Sequence, residues 1–187
     1  MHTPDHKRAP GGAPERRAAL TFRAPEAADG ARVHELIEAC PPLDRNSLYC
    51  NLLQCTHFAE TCVLAEQGER LLGWISGYRP PAEPSTLFVW QVAVHEAARG
   101  TGLAGKLLMA LLDRPATEPV RFIKTTVTPG NEASRALFRS IARRAHAPLR
   151  EQSGFEKDTH FRGRHDSERL IVIGPIPQAR QRVSSAA

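Results

Sequence analysis

The stretch VAVHEAARGTGLAGKLL, residues 92–108, decides how the rest of the chain is read. A β-branched run feeds a glycine-rich turn, and the turn opens onto helical spacing. Leu103, Leu107, Ala110 and Leu111 share one face of a helix that Asp113, Arg114 and Pro115 close. Such a turn is an anion site, because unpaired N–H groups at a helix start, backed by the helix dipole, hold phosphate oxygens. Gly100, Gly102, Ala104 and Gly105 let a ligand approach the backbone closely. Residues 100–105 also match G-x-G-x-x-G. That dinucleotide fingerprint, however, belongs on a first strand with an acid about 20 residues later. Here three strands precede it, and the next strand offers Lys124 and Thr126. The plainer alternative is a turn whose glycines serve packing alone.

Working outward, Val33, Leu36, Ile37 and Cys40 predict a first helix between Asp29 and Pro41. Leu48, Leu52 and Cys55 predict a short second one, with Asn46 or Ser47 available as its cap. The runs CVLAE, LLGWISGYR and LFVWQVAV, within 62–94, read as three strands of an antiparallel meander. RFIKTTV (121–127) reads as a fourth strand. A helix over about 131–145 with Ala133, Leu137 and Ile141 on one face follows. Residues 146–168 are polar and read as irregular, and RLIVIG (169–174) closes as a strand. The expected order αα, βββ, α, β, α, β makes an α/β domain with a mixed, mostly antiparallel central sheet flanked by helices.

A chain of 187 residues, 41% hydrophobic and 24% charged, suffices for one core and excludes wholesale disorder. Residues 1–19 and 175–187 are rich in Pro, Ala, Gly, Arg and Ser without periodicity, so a disordered leader, a body over 20–174 and a flexible tail are expected. Each end carries +2 of the net +5, which leaves the body at +1. Nucleic-acid binding needs Lys and Arg massed on one face, so no nucleic-acid partner is expected. No signal-peptide core or membrane-length apolar run is present, and a cytoplasmic protein with no membrane partner is expected. Cys40, Cys50, Cys55 and Cys62 form no CxxC pair and read as small buried hydrophobes, and no Cys/His spacing suggests a metal.

Arg99, Gly102 and Ala104 form R/Q-x-x-G-x-G/A after the VAV strand, and Asn131, Ser134, Leu137 and Phe138 form N-x-x-[SA]-x-x-L-[YF]. Together and in this order they resemble the GCN5-related N-acetyltransferase family. The resemblance implies acetyl-CoA as cosubstrate, held by Val92, Ala93, Val94, Arg99, Gly100, Thr101, Gly102, Leu103, Ala104, Gly105, Lys106, Asn131, Arg135 and Phe138. Within that superfamily the segments 43–66, 78–94, 127–143 and HDSE (165–168) look like the diaminobutyrate acetyltransferase family of ectoine synthesis. That family acetylates the 4-amino group of L-2,4-diaminobutyrate, and a separate enzyme cyclises the product to the osmoprotectant ectoine. The resemblance further implies a homodimer.

Amide formation from a thioester needs a neutral amine aligned on the carbonyl carbon and donors for the developing oxyanion. An amine with a pKa near that of lysine, ~10.4, arrives as ammonium, so aromatic walls and carboxylates are the expected equipment. The resemblance places substrate contacts at Asp44, Tyr49, Trp90, Asn131, His165 and Glu168, with Glu168 and Tyr49 the catalytic candidates. In this reading Glu168 takes the amine proton, Asp44 holds the other ammonium, Tyr49 and Trp90 wall the pocket, and His165 and Asn131 orient substrate. Backbone N–H groups of residues 91–94 supply the oxyanion donors. The wider family often has a tyrosine where Phe138 stands, so the acid that protonates the thiolate is left unassigned.

Each site residue also has a plain reading. Asp44 can introduce the second helix as part of DRNS, and Trp90 can be core, although Phe88 and Val92 share its face by period and can supply that core. Tyr49 can be packed, and His165 and Glu168 can be surface residues. Glu132, Arg135 and Arg139 read as a solvated helix face, with Arg135 within reach of a coenzyme phosphate. Three other functions stay open: an acetyltransferase of another small amine, a module that senses acyl-CoA without turning it over, and a nucleic-acid-associated acetylase that relies on the basic ends.

Overall fold

The β-rich runs join into one seven-stranded sheet in the computed structural model, which describes residues 18–177. In chain order the strands are β1 (Leu20–Arg23), β2 (Val63–Gln67), β3 (Arg70–Tyr78), β4 (Thr86–Val94), β5 (Phe122–Val127), β6 (Leu149–Phe155) and β7 (Glu168–Ile173). Across the sheet they run β1-β2-β3-β4-β5-β7-β6. Every neighbouring pair is antiparallel except β4 and β5. The helices are α1 (Gly30–Glu38), α2 (Leu48–Thr56), α3 (Leu103–Leu112) and α4 (Glu132–Arg144). The expected leader and tail lie outside the described residues, apart from 18–19 and 175–177.

Two strands were not expected from the sequence. β1 has four residues and no buried one, and it exists because its backbone pairs with β2. β6 falls inside the stretch read as irregular. Its side chains are largely exposed, so apolar alternation is missing, and ladder pairing with β7 forms it instead.

The sheet carries a core on each face. On one, Leu103, Leu107, Leu108 and Leu111 of α3 and Phe138, Ile141 and Ala142 of α4 pack on Val63, Ile75, Leu87, Val89, Ile123 and Ile171. A Cβ at Gly73 would stand 2.6 Å from Leu107 Cδ1, so the bare backbone of β3 is what lets α3 lie close. On the other face, Val33, Leu36, Ile37 and Cys40 of α1 and Cys55 of α2 pack on Cys62, Leu64, Trp74 and Ala93.

The α1 pattern behaves as read, whereas α2 and α4 are rotated from expectation. The inward side of α2 is Asn51, Gln54 and Cys55, with Leu48 44% exposed. Burying that polar pair is tolerable because Asn51 Nδ2 donates to Gln54 Oε1 (3.0 Å) and Asn51 Oδ1 meets His34 Nδ1 (3.0 Å). In α4, Ala133 is exposed and Phe138 takes the core position. Ser47 is the cap of α2, accepting from Cys50 N at 3.1 Å, and Asn46 points elsewhere. Of the cysteines, three are buried and Cys50 is half-buried; all are free thiols.

Two irregularities of β4 create the site. First, its register with β3 passes from Gly77↔Val89 to Ser76↔Gln91, so Trp90 is an extra residue in a bulge. The bulge breaks the period of two. Leu87 and Val89 face the α3/α4 core, but Ala93, four residues after Val89, belongs to the α1/α2 core, and Val92 and Val94 pack on the α3/α4 core. Val92 therefore does not share a face with Phe88 and Trp90, which corrects the expectation from simple alternation. Second, β4 and β5 pair over only Thr86↔Phe122 to Phe88↔Lys124 and then part.

Away from this opening, an ion cluster ties β1 to β2 and the start of α1. Arg23 donates to Asp29 (2.6 and 2.7 Å) and to Glu66 (2.7 and 3.0 Å), and Arg32 reaches both acids (3.1 and 2.8 Å). Burial alone would raise the Asp29 carboxyl. The Arg23 bonds, the Glu26 N–H and the two guanidinium charges outweigh it and hold that carboxyl below its usual value. Glu66 is lowered chiefly by its Arg23 bond.

Candidate active site

A cavity of about 580 Å³ occupies the gap where β4 and β5 part. One side of it is built from backbone. Beyond Phe88 the β5-facing edge of β4 has no ladder partner, so the main-chain groups that residues 89–93 turn away from β3 are open to a ligand. The strand ends in the turn that starts α3, where Gly100 (φ 77°) and Gly102 (φ 75°) adopt left-handed backbone that side chains disfavour. The first helical N–H with a backbone partner is that of Lys106, to Gly102 O at 3.1 Å. The N–H groups of Leu103, Ala104 and Gly105 therefore stand at the helix mouth without an intrahelical acceptor.

Arg99 and Thr101 shape this turn. Arg99 Nε donates to Val94 O (3.1 Å), and Thr101 Oγ1 donates to Ala98 O (2.7 Å). A Cβ at Gly100 or Gly102 would meet nothing within 4 Å, so the glycines are needed there for their backbone angles rather than to relieve crowding. Arg135 is engaged by Glu151 of β6 at 2.8 Å, which makes it a tie between α4 and the sheet rather than the solvated residue expected. Glu132 and Arg139 are exposed as expected.

The other side is built from side chains. Asp44, in the loop between α1 and α2, lines the cavity while exposed, and Glu168 at the start of β7 lines it while largely covered. Asp44 leads into α2 through DRNS, but the cap of that helix is Ser47. Trp90 is 47% exposed and lines the cavity; the buried core tryptophan is Trp74. Tyr78 sits among Phe58 (6.3 Å between ring centres), Phe88 (5.3 Å) and Trp90 (6.3 Å), giving four rings on one wall. Phe155 adds a fifth ring to the lining.

His165 Nδ1 lies 2.7 Å from the carbonyl of Asp166. A carbonyl can only accept, so Nδ1 carries the proton and Nε2 faces Glu168 Oε1 at 4.0 Å. Asn131 caps α4 by accepting from Ser134 N at 3.0 Å, and its amide nitrogen has no protein partner among the described residues. Phe138 is buried beneath the cavity and brings no hydroxyl to it.

Asp44, Trp90, Asn131, His165 and Glu168 thus line one cavity, while Tyr49 does not. Tyr49 is on α2, 69% exposed and turned away from this chain's site. Sequence reading missed Phe58, Tyr78 and Phe155. Tyr78 had a usable signal, since it and Phe88 border the Pro-rich turn and pair across β3 and β4. Phe58 and Phe155 had none. Among the described residues no group of His, Cys, Asp and Glu is placed to hold a metal, and no helix is long and apolar enough to cross a membrane.

A sheet parted beside a glycine-turn helix mouth defines an acyl-coenzyme A transferase site. Residues 31–142 match the acetyltransferase (GNAT) family, and the chain belongs to it. Its relatives include the L-2,4-diaminobutyric acid acetyltransferase of Methylotuvimicrobium alcaliphilum, 51% identical over 157 residues that cover 84% of this chain and 91% of that protein. The enzyme of the same name from Vibrio cholerae is 46% identical, over 81% of this chain and 88% of that protein. Among solved structures, the diaminobutyrate acetyltransferase of Paenibacillus lautus, in complex with its substrate L-2,4-diaminobutyric acid and coenzyme A, matches with a TM-score of 0.81 at 43% identity. That match covers 86% of this chain and 97% of the other.

Proposed function

We propose that this protein transfers the acetyl group of acetyl-CoA to the 4-amino group of L-2,4-diaminobutyrate. The observation that carries the reading is the single cavity in which an unpaired strand edge meets two carboxylates and a wall of aromatic rings. The shared name of relatives at 46–51% identity supports the substrate.

In this reading the N–H groups at the start of α3 hold the coenzyme pyrophosphate, with the Arg99 guanidinium beside them. The open edge of β4 takes the pantetheine amides and the thioester carbonyl, whose oxygen gains charge as the amine attacks. Asp44 pairs with the 2-ammonium of the substrate. Glu168 accepts the proton of the 4-amine, directly or through water, and the neutral nitrogen attacks the carbonyl carbon. The Trp90 and Tyr78 rings stabilise the incoming cation and keep bulk water from it. His165 and the free amide of Asn131 orient the substrate carboxylate. A coenzyme A thiol with a pKa near that of cysteine, ~8.5, can leave as thiolate without a dedicated acid.

The product is a substrate for cyclisation to ectoine in the family's osmoprotective pathway. The four free thiols support a reducing, cytoplasmic compartment. We further propose a homodimer. The exposed Leu48 and Tyr49 on α2 support it and give Tyr49 a place at the interface.

The test is thiol release from acetyl-CoA with diaminobutyrate, ornithine, lysine, glutamate and spermidine in turn. Release confined to diaminobutyrate is expected. Preference for another amine would leave a different small-amine acetyltransferase, and coenzyme binding without release to any amine would leave a sensing module.

A further inference from the structure

Gln91 is buried in the bulge of β4, yet its side chain reaches out of the strand. Its Nε2 donates to the main-chain carbonyl of Asp44 (2.8 Å), and its Oε1 accepts from Asn46 Nδ2 (2.9 Å). Both hydrogen-bonding ends of one amide are therefore spent on the loop between α1 and α2, which has no regular secondary structure of its own over residues 44–47. In a regular strand Gln91 would face away from Trp90. The extra residue in the bulge turns both toward the same side, so two consecutive residues carry an aromatic wall and the anchor of a carboxylate.

We infer that Gln91 is a positioning residue for the substrate ammonium. It fixes the Asp44 backbone to β4 and thereby sets the Asp44 carboxylate relative to the Trp90 ring. The inference rests on the proposed pairing of Asp44 with the substrate. A carboxylate on an untied loop would have to be ordered anew at each binding event, and that cost falls on substrate affinity. The clamp uses only the side chain of Gln91 and does not reach the helix mouth, so its loss leaves the main-chain groups of β4 and the turn in place and should change coenzyme affinity little.

The test compares Gln91→Met, Asp44→Asn and the double variant by steady-state kinetics, with diaminobutyrate and acetyl-CoA each varied. Gln91→Met preserves length and apolar bulk while removing both bonds. It is expected to raise KM for diaminobutyrate about tenfold and leave KM for acetyl-CoA within about twofold. Because Gln91 acts through Asp44, the double variant is expected to be no worse than Asp44→Asn alone, within about twofold. A general loss of structure would instead raise both KM values, and that result overturns the inference. So does an unchanged diaminobutyrate KM in Gln91→Met, or effects that multiply in the double variant. If Gln91→Met does not fold, Asn46→Ala removes one bond of the clamp, and an unchanged diaminobutyrate KM there overturns the inference equally. Unchanged kinetics in Asp44→Asn would defeat the Asp44 pairing itself, and the positioning role with it. A damaged Asp44→Asn beside a normal Gln91→Met would defeat the positioning role alone.

Discussion

The two halves of the cavity are made of different material. The coenzyme half, from the open edge of β4 through Gly100 and Gly102 to the mouth of α3, presents main-chain N–H groups. The amine half presents side chains from scattered places: the 41–47 loop, the segment after α2, β3, the bulged part of β4, the cap of α4, the end of β6 and the approach to β7. A backbone site depends on conformation and tolerates most side-chain changes. A side-chain site depends on a few atoms, any of which can be removed. In the proposed function the coenzyme is thus met by the tolerant half, and the amine by the half that can vary.

That contrast is most exposed at Glu168. Glu168→Gln keeps the shape but cannot accept the amine proton, so kcat/KM for diaminobutyrate should fall about 100-fold, roughly 2.7 kcal/mol, with acetyl-CoA affinity unchanged. Steady-state kinetics together with calorimetric titration of coenzyme A checks this. An equal loss on both ligands would mean that the halves are not separable.

A second change lies outside both halves and should disturb neither. Arg23→Met leaves Asp29, 2% exposed, beside Arg32 alone and should cost about 2 kcal/mol of stability at neutral pH, a figure reduced because Arg23 is itself about one-third exposed. Asp29 and Glu66 titrate lower in the folded protein than their ordinary values of roughly 3.9 and 4.3. The contribution of the cluster is therefore complete above those values and is lost as pH falls toward the folded ones. Urea midpoints at pH 7 and pH 3 should show the variant's deficit shrinking in acid. A deficit independent of pH would mean that packing, not charge, joins β1 to β2.

The smallest of the three effects tests the backbone half. Gly102→Val forces a β-branched residue into φ 75° without any clash, so strain must move the turn. Coenzyme A affinity should drop about fivefold, roughly 1 kcal/mol, while diaminobutyrate KM at saturating acetyl-CoA stays put. Normal coenzyme binding in the folded variant would mean that the turn is not the phosphate cradle.

The same division explains what the sequence disclosed. The strand-turn-helix of residues 92–108 is local, its glycines mark required backbone angles, and it was readable without any relative. The amine half is assembled from residues as far apart as 44 and 168, and nothing in local pattern joins them. Asp44, Trp90, His165 and Glu168 stood out only through family resemblance. The bulge at Trp90 was invisible because TLFVWQVAV reads as uninterrupted strand, and the shift shows only when β3 is laid beside it. β6 was missed for the same reason, since its stability comes from β7 rather than from its own side chains. The inward face of α2 was misread because Asn51 and Gln54 are apolar neither in type nor in pattern, and are buried by bonding to each other.

The most direct test of the account is the position of the new amide. Purified protein, acetyl-CoA and L-2,4-diaminobutyrate are allowed to react, and the product is examined by two-dimensional NMR for coupling between the acetyl carbonyl and the substrate chain. The account predicts a single product with the acetyl group on N4. Acetyl on N2, or a mixture of the two, would contradict a site in which one carboxylate holds the 2-ammonium while the other deprotonates the 4-amine.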